Sequence, residues 1–183
     1  MKQTLKLIII IFLTFTTSCK SQNKLTEFPI QDFEFESIFG NKKGENKDDV
    51  YCLLGQGFFR TPRSENSAEL LKNWLTEHPN AKLIPISALN SESKITYCWI
   101  VNGTENLNIY LVKNGCYPGG TMQRPRTWKE MSRKEKKIYR GMEKPDVEVF
   151  INDSEYDKFI EELKEAELYA QENELGIWKE KKE

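Results

Sequence analysis

The sequence predicts an α+β domain behind a short leader, and three observations carry that expectation. Strand-like apolar runs lie at 33–38, 50–54, 82–87 and 95–101. Amphipathic helical patterns follow Ser67, Thr104 and Ser154, with Gly, Pro and Asn at the joints. A length of 183 residues suits one domain with a tail, and an aromatic fraction of 11% is too high for a disordered polymer.

The elements follow in order. Residues 1–18 place Lys2 and Lys6 before the run Leu7 to Leu13 and end Thr16-Thr17-Ser18, directly before Cys19. The hydrophobic stretch is too short to span a bilayer, so it reads as a secretory signal. It resembles a bacterial lipoprotein signal, which implies cleavage before Cys19, acylation of that cysteine and a membrane-anchored place in the cell envelope. An ordinary secreted protein with an incidental cysteine is the other reading. Residues 19–27 are then a lipidated polar tether, and 28–183 form the folded domain.

Phe33-Glu34-Phe35-Glu36-Ser37-Ile38 alternates with period two, as one half-buried strand. A polar loop over 41–49 leads to the strand Val50–Leu54, ended by Gly55 and Gly57. Ser67 caps a helix with Leu70, Leu71, Trp74 and Leu75 on one face, stopped at Pro79. Lys82–Ser87 and Ile95–Val101 are strands, and Pro85 places the first near an edge or a bulge. Thr104 caps a helix with Leu107, Tyr110 and Leu111 inward, closed by Asn114-Gly115. Residues 116–128 are a Gly/Pro/Arg-rich loop, and 129–145 carry many basic charges on a weak helical pattern. The last helix starts near Ser154 with Asp157 in capping-box position. It buries Tyr156, Phe159, Ile160, Leu163 and Ala166 or Ala170, and Gly176 serves as its C′ residue.

Charge and composition exclude several functions. With 27 basic and 28 acidic residues the chain lacks the basic excess of a general nucleic-acid binder. A single histidine, His78, rules out sites built on two imidazoles, and its place at a helix end suits capping. Ser87, Ser91 and Ser93 have no Gly-x-Ser-x-Gly context. Tyr97 and Trp99 alternate with apolar residues as core side chains do. Beyond the anchor stand Cys52, Cys98 and Cys116. The first two lie in apolar runs, where a free thiol acts as a small hydrophobe; a Cys52–Cys98 bridge is the other reading.

The ending AELYAQENELGIWKE is the most specific string in the chain. It resembles the terminal helix of the thermonuclease (staphylococcal nuclease-like) family, with its Leu-Gly-Ile-Trp close. Arg60-Thr61-Pro62 before a helix stands where that family has Asp-Thr-Pro, and the strand pair 82–101 with the following LVKNG helix is also similar. The resemblance covers about residues 50–178. It implies a small five-stranded barrel of OB-fold type with packed helices, including a long C-terminal one. It also implies a Ca²⁺-assisted phosphodiesterase, in which carboxylates hold the cation and supply a base while arginines neutralise the transition state.

This chain departs from that pattern at each matched position. Arg60-Thr61-Pro62-Arg63 replaces both carboxylates by cations, and the expected arginines fall on Gly55 and Ser93. Glu65 is the remaining candidate base, with Asp48 and Asp49 as candidate metal ligands and Ca²⁺ as cofactor only on that alternative. Charge reversal repels a divalent cation and attracts an anion. Arg60 and Arg63 offer planar donor forks, Ser64 and Asn66 add neutral donors, and the following helix start adds free N–H groups. The competing reading pairs the arginines with Glu65 and Glu69. In the loop 116–128, Gly119, Gly120 and Arg124 with flanking aromatics suit a clamp on a base or sugar phosphate. Equally, the glycines turn the chain and Trp128 plugs the barrel. The basic segment 129–144 is a solvated face or follows a phosphate backbone. The expected function is non-catalytic binding of a nucleic acid, nucleotide or other phosphate or carboxylate by a membrane-anchored protein. A divergent nuclease and a purely structural lipoprotein are the alternatives.

Overall fold

The computed structural model describes residues 25–55, 63–120 and 123–179. The expectations for Cys19, the leader and Arg60 lie outside these residues. The described chain is α+β. Its strands are β1 (Phe28–Pro29), β2 (Phe33–Phe35), β3 (Phe39–Lys42), β4 (Val50–Leu53), β5 (Lys82–Asn90), β6 (Ile95–Asn102), β7 (Glu105–Asn106) and β8 (Asp146–Val149). Its helices are α1 (Ser67–Glu77), α2 (Leu107–Lys113), α3 (Arg133–Ile138) and α4 (Asp153–Glu172), with 3-10 turns at Ile30–Asp32 and Gly176–Trp178.

The strands form one mixed sheet in the order β1-β5-β6-β4-β3-β2, with β7 on β6 and β8 on β5. β4 and β6 run parallel, Val50 opposite Ile95 through Leu53 opposite Cys98; the other pairs are antiparallel. β1 and β2 sit at opposite ends of this order yet are joined by a single 3-10 turn. The sheet therefore curls round until it is nearly closed. Ile30 N–H donates to Ala81 O (3.0 Å) and Lys43 N–H to Asp32 O (2.8 Å), fixing both sides of the bend.

Eight strands appear among the described residues where five were expected. β1 and β7 have two residues each, too few to carry a period-two pattern, and β8 is a short strand on the far side of the basic segment. The expected strand 33–38 is broken after Phe35. Phe39 N–H donates to Ser37 Oγ (3.2 Å), and the chain turns there into β3. Pro85 is at a bulge, with the register shifting between Pro85 and Ser87, but β5 is a central strand.

The apolar runs of β5 and β6 lack polar alternation because both sheet faces are covered. Leu83, Cys98 and Ile100 point inward with Phe33, Leu71, Trp74, Leu107 and Leu111. Ile84, Ile86 and Trp99 point outward under α4, which contributes Phe159, Leu163 and Ala166. The Trp99 and Phe159 rings lie 4.7 Å apart. Burying side chains of this size stabilises by about 1.5–3 kcal/mol each. Cys52, Cys98 and Cys116 are buried thiols, and the Cys52–Cys98 bridge is not formed. Cys98 Sγ donates to the Cys52 carbonyl at 3.4 Å, and burial pushes the Cys52 thiol up to about 12, away from the reactive thiolate.

Helix ends differ from expectation by one or two residues, and at α2 and α4 a neighbouring asparagine side chain takes the capping position. Asn66, not Ser67, is the N-cap of α1, and it makes no side-chain capping bond. The β6–β7 pairing delays α2, so Thr104 is bypassed and Asn106 Oδ1 accepts from Asn108 N–H (2.9 Å) and Ile109 N–H (3.4 Å). Asn152 Oδ1 caps α4 by accepting from Glu155 N–H (2.9 Å), in place of the Ser154–Asp157 arrangement. At the far end Glu174, not Gly176, is the C′ residue, with φ +49°. Leu175 N–H reaches Ala170 O (2.9 Å) and Glu174 N–H reaches Gln171 O (3.1 Å), completing a Schellman motif. A non-glycine residue in that left-handed position is strained. Glu174→Gly is therefore expected to stabilise the domain by about 0.5–1 kcal/mol, seen as a higher urea midpoint at unchanged m.

Candidate functional site

The loop Arg63–Asn66 enters α1 and is tied down by Ser64 N–H to Cys116 O (3.0 Å) and Ser67 N–H to Ser64 O (3.2 Å). Facing it are Asn114 at the end of α2 and the 3-10 turn Gly176–Trp178. Two glycines set that wall. Gly115 (φ +66°) and Gly176 (φ +54°) cross backbone against backbone, and Ile177 N–H donates to Gly115 O (2.9 Å). A Cβ on Gly115 would run into the Leu175 carbonyl, and one on Gly176 into the Gly115 carbonyl. The result is a groove of about 730 Å³ lined by Arg63, Ser64, Glu65, Asn66, Asn114 and Lys179, with Leu70 and Leu175 beneath.

Arg63 and Lys179 form no ion pair among the described residues, so the pairing of Arg63 with Glu65 or Glu69 is not made. Glu65 is the one carboxylate among the groove's described lining residues. Ser64 Oγ is buried beside the Cys116 thiol, so it holds the loop to the end of α2 and does not face the groove. Asn66 makes no side-chain cap, so among the described residues first-turn N–H groups of α1 lack a side-chain cap. Two cations, two amides and a helix start favour an anion here.

The other candidates are placed elsewhere. Asp49 Oδ1 accepts from Lys94 N–H (3.0 Å) at the first end of β4, with Asp48 beside it. Glu65 belongs to the other end, where Gly120 N–H donates to Gly55 O (3.1 Å) and Ser64 holds Cys116. The four residues of β4 separate them by about 13 Å of strand. No three His, Cys, Asp or Glu side chains gather for a metal ion among the described residues. Gly55, where the resemblance expects an arginine, has φ +84°, and a Cβ there would strike Leu163 of α4. Gly119 packs under α4 against the Leu163 carbonyl and Val112, while Gly120 (φ +70°) has open space beside it.

Arg124 is engaged within the protein. Its guanidinium takes Glu130 through Nη1 (3.1 Å) and Nη2 (2.7 Å), reaches Asp153 (3.1 Å) and lies 5.1 Å over the Tyr156 ring. Nε is buried without a partner. Trp128 does not plug the barrel. It sits partly buried outside, edge-on to Tyr139 at 6.2 Å, with Lys136 and Lys144 over its face. The barrel interior is already filled by residues from α1, α2 and the strands.

Arg124 pulls the Glu130 carboxyl down to about 2 from its ordinary 4.5, chiefly through its hydrogen bonds. A carboxyl depressed in the folded state stabilises above about pH 4.5 and loses that contribution as pH falls toward 2. Acidification through this window is expected to raise hydrogen exchange over 123–150 before the barrel opens, and Glu130→Gln to abolish that pH dependence.

His78 closes α1 as a cap, as its position suggests. Nδ1 meets Trp74 O at 2.7 Å, Nε2 meets Glu105 at 2.7 Å, and the ring stacks on Trp74 at 4.1 Å. Sequence reasoning missed Asn114 and Lys179. The only signals for them were the Asn-Gly end of α2 and the Leu-Gly-Ile-Trp string, which do not say that the two segments meet. Compared with protein-family models and with curated proteins, the chain matches none.

Proposed function

We propose that this chain is a lipid-anchored envelope protein whose domain is a divergent OB-type barrel of thermonuclease-like build that binds an anionic ligand without cleaving it. Counting β1 and β2 as one bent strand, the closed path β2-β3-β4-β6-β5-β1 has five members with one parallel pair, which supports the OB-type reading. The function rests on one observation above the others: Arg63 and Lys179 face a common groove with no ion-pair partner among the described residues. There the Arg63 fork grips two oxygens of a phosphate or carboxylate, Asn66 or Asn114 supplies a neutral donor, and the start of α1 adds favourable dipole. The separation of Glu65 from Asp48 and Asp49 favours binding over the family's metal-assisted hydrolysis.

Titration of the protein with a nucleoside monophosphate and a short single-stranded oligonucleotide, at low salt, tests this. Arg63→Ala is expected to weaken binding about tenfold or more, and Lys179→Ala by a few fold, with affinity falling as salt rises. Undiminished affinity in Arg63→Ala removes the site. Ca²⁺-dependent DNA cleavage lost in Glu65→Ala establishes the nuclease alternative, and no binding by any phosphate ligand supports the structural one.

A further inference from the structure

The segment from Gln123 to Phe150 is unlike the rest of the molecule: no residue in it is buried. It leaves the body after the Gly119-Gly120 turn and returns through β8, whose Val149 and Glu148 pair with Ser87 and Ala88. Its shape comes from within. Ser132 and Glu135 form a capping box on α3, Arg126 holds Glu135, and Trp128 lies beneath two lysines. The segment carries nine basic and five acidic side chains, whereas the remainder of the chain from Cys19 onward carries 16 basic and 23 acidic. It is a cationic arm on an acidic body.

Three of the large exposed apolar side chains belong to this arm: Ile138 (67% exposed), Met142 (59%) and Phe150 (41%). Around Ile138 stand Arg133, Lys134, Lys137 and Arg140, which make no ion pair among the described residues. Apolar side chains set among unpaired cations are the composition of an interfacial surface for anionic lipid.

The anchor brings that surface within reach. Leu25, the first described residue, packs against the apolar layer between sheet and α4 that also holds Val149 and Ile151, where the arm ends. Six residue steps separate Leu25 from Cys19, at most about 20 Å of extended chain. We propose that the 123–150 arm is a membrane-docking surface, laid on anionic headgroups with Ile138, Met142 and Phe150 entering the interface. The inference rests on the proposed lipidation of Cys19 for its orientation but not for its chemistry, so the two are separable. The arm takes up the bilayer surface and leaves the Arg63 groove to its ligand.

The chain from residue 20 onward keeps every described residue and lacks the lipid. Its cosedimentation with vesicles of phosphatidylcholine containing about 30 mol% phosphatidylglycerol is expected to exceed that with pure phosphatidylcholine, and to fall at high salt. Replacing Arg133, Lys134, Lys137 and Arg140 together by glutamine is expected to weaken binding about tenfold or more. A separate Ile138→Ser, Met142→Ser variant is expected to weaken it with the charges intact. Because these side chains are exposed, circular dichroism should stay unchanged. Equal binding to both vesicle types, or undiminished binding by the glutamine variant, overturns the proposal. So does a glutamine variant that loses oligonucleotide binding while keeping vesicle binding, which makes the arm a nucleic-acid surface. The anchor is checked apart, by fatty-acid labelling of the full chain and of Cys19→Ser: loss of label in the variant supports the orientation argued here, and label without Cys19 overturns it.

Discussion

Gly115→Ala is expected to destabilise the domain by about 3–5 kcal/mol, lowering the thermal midpoint by roughly 10 °C. Two costs combine. Gly115 has φ +66°, where an L-residue pays for its Cβ, and that Cβ would meet the Leu175 carbonyl and Gly176 N. Neither neighbour is a side chain that can swing aside. Relief requires the 3-10 turn at Gly176–Trp178 to lift, breaking the Ile177 N–H to Gly115 O bond and freeing the end of α4. The same movement draws Lys179 away from Arg63, so anion affinity should fall along with stability even in the folded fraction. Gly176→Ala should behave alike from the other side of the crossing. Normal stability in both would show that the two segments do not meet in this way.

Asn108→Leu is expected to destabilise by about 3–5 kcal/mol, although leucine suits a position with no exposure. Asn108 Nδ2 donates to Leu54 O (2.8 Å) and Cys98 O (3.0 Å), and Oδ1 accepts from Ile100 N–H (3.2 Å). One amide thus serves backbone groups of β6 and of the chain leaving β4, and holds both to α2. Cys98 O keeps the Leu54 N–H (3.1 Å), but leucine takes the Asn108 partner from Leu54 O and Ile100 N–H in a site closed to water, at about 1–3 kcal/mol for each buried group. Asn108→Asp leaves the size intact but removes the two donors and buries a carboxyl. It should be at least as damaging at neutral pH and partly recover in mild acid. Denaturant midpoints for the pair, at two pH values, check both statements.

Asn108 also shows why part of the fold was hidden in the sequence. It lies in the helical run Leu107–Lys113, one place from the expected inward residue Leu107, and a polar residue there reads as solvent-facing. Only the approach of Leu54 and Cys98 makes it a core residue. The cap positions failed for a related reason. Asn66, Asn106 and Asn152 all stand within two residues of the Ser and Thr caps expected, and a pattern of apolar residues cannot choose between adjacent polar ones. Arg124 was legible as unusual but not as engaged, because Glu130, Asp153 and Tyr156 reach it from a turn and from another helix.

The groove was half legible. Arg63, Ser64 and Asn66 lie within four positions of one another at a helix start, so local reading found them. Asn114 and Lys179 stand opposite only because two glycines about sixty residues apart in the chain let their backbones cross. Trp128 as a barrel plug was one of two open readings, and the core is filled without it.

Sequence by itself determined the α+β class, the apolar runs that became β4, β5 and β6, the buried face of α4 with Phe159 and Leu163, and the cationic character of the segment after Trp128. Each of these is a property of neighbouring residues: burial periodicity and charge repeat along the chain itself. Tertiary structure alone decided that β1 and β2 are one bent segment closing the sheet, that Gly55 must stay glycine beneath Leu163, and that the basic arm buries none of its residues and meets the apolar layer through Val149 at its end. Those depend on which distant segments meet. The free energy of a meeting lies in shape and in satisfied polar groups, neither of which leaves a period in the sequence.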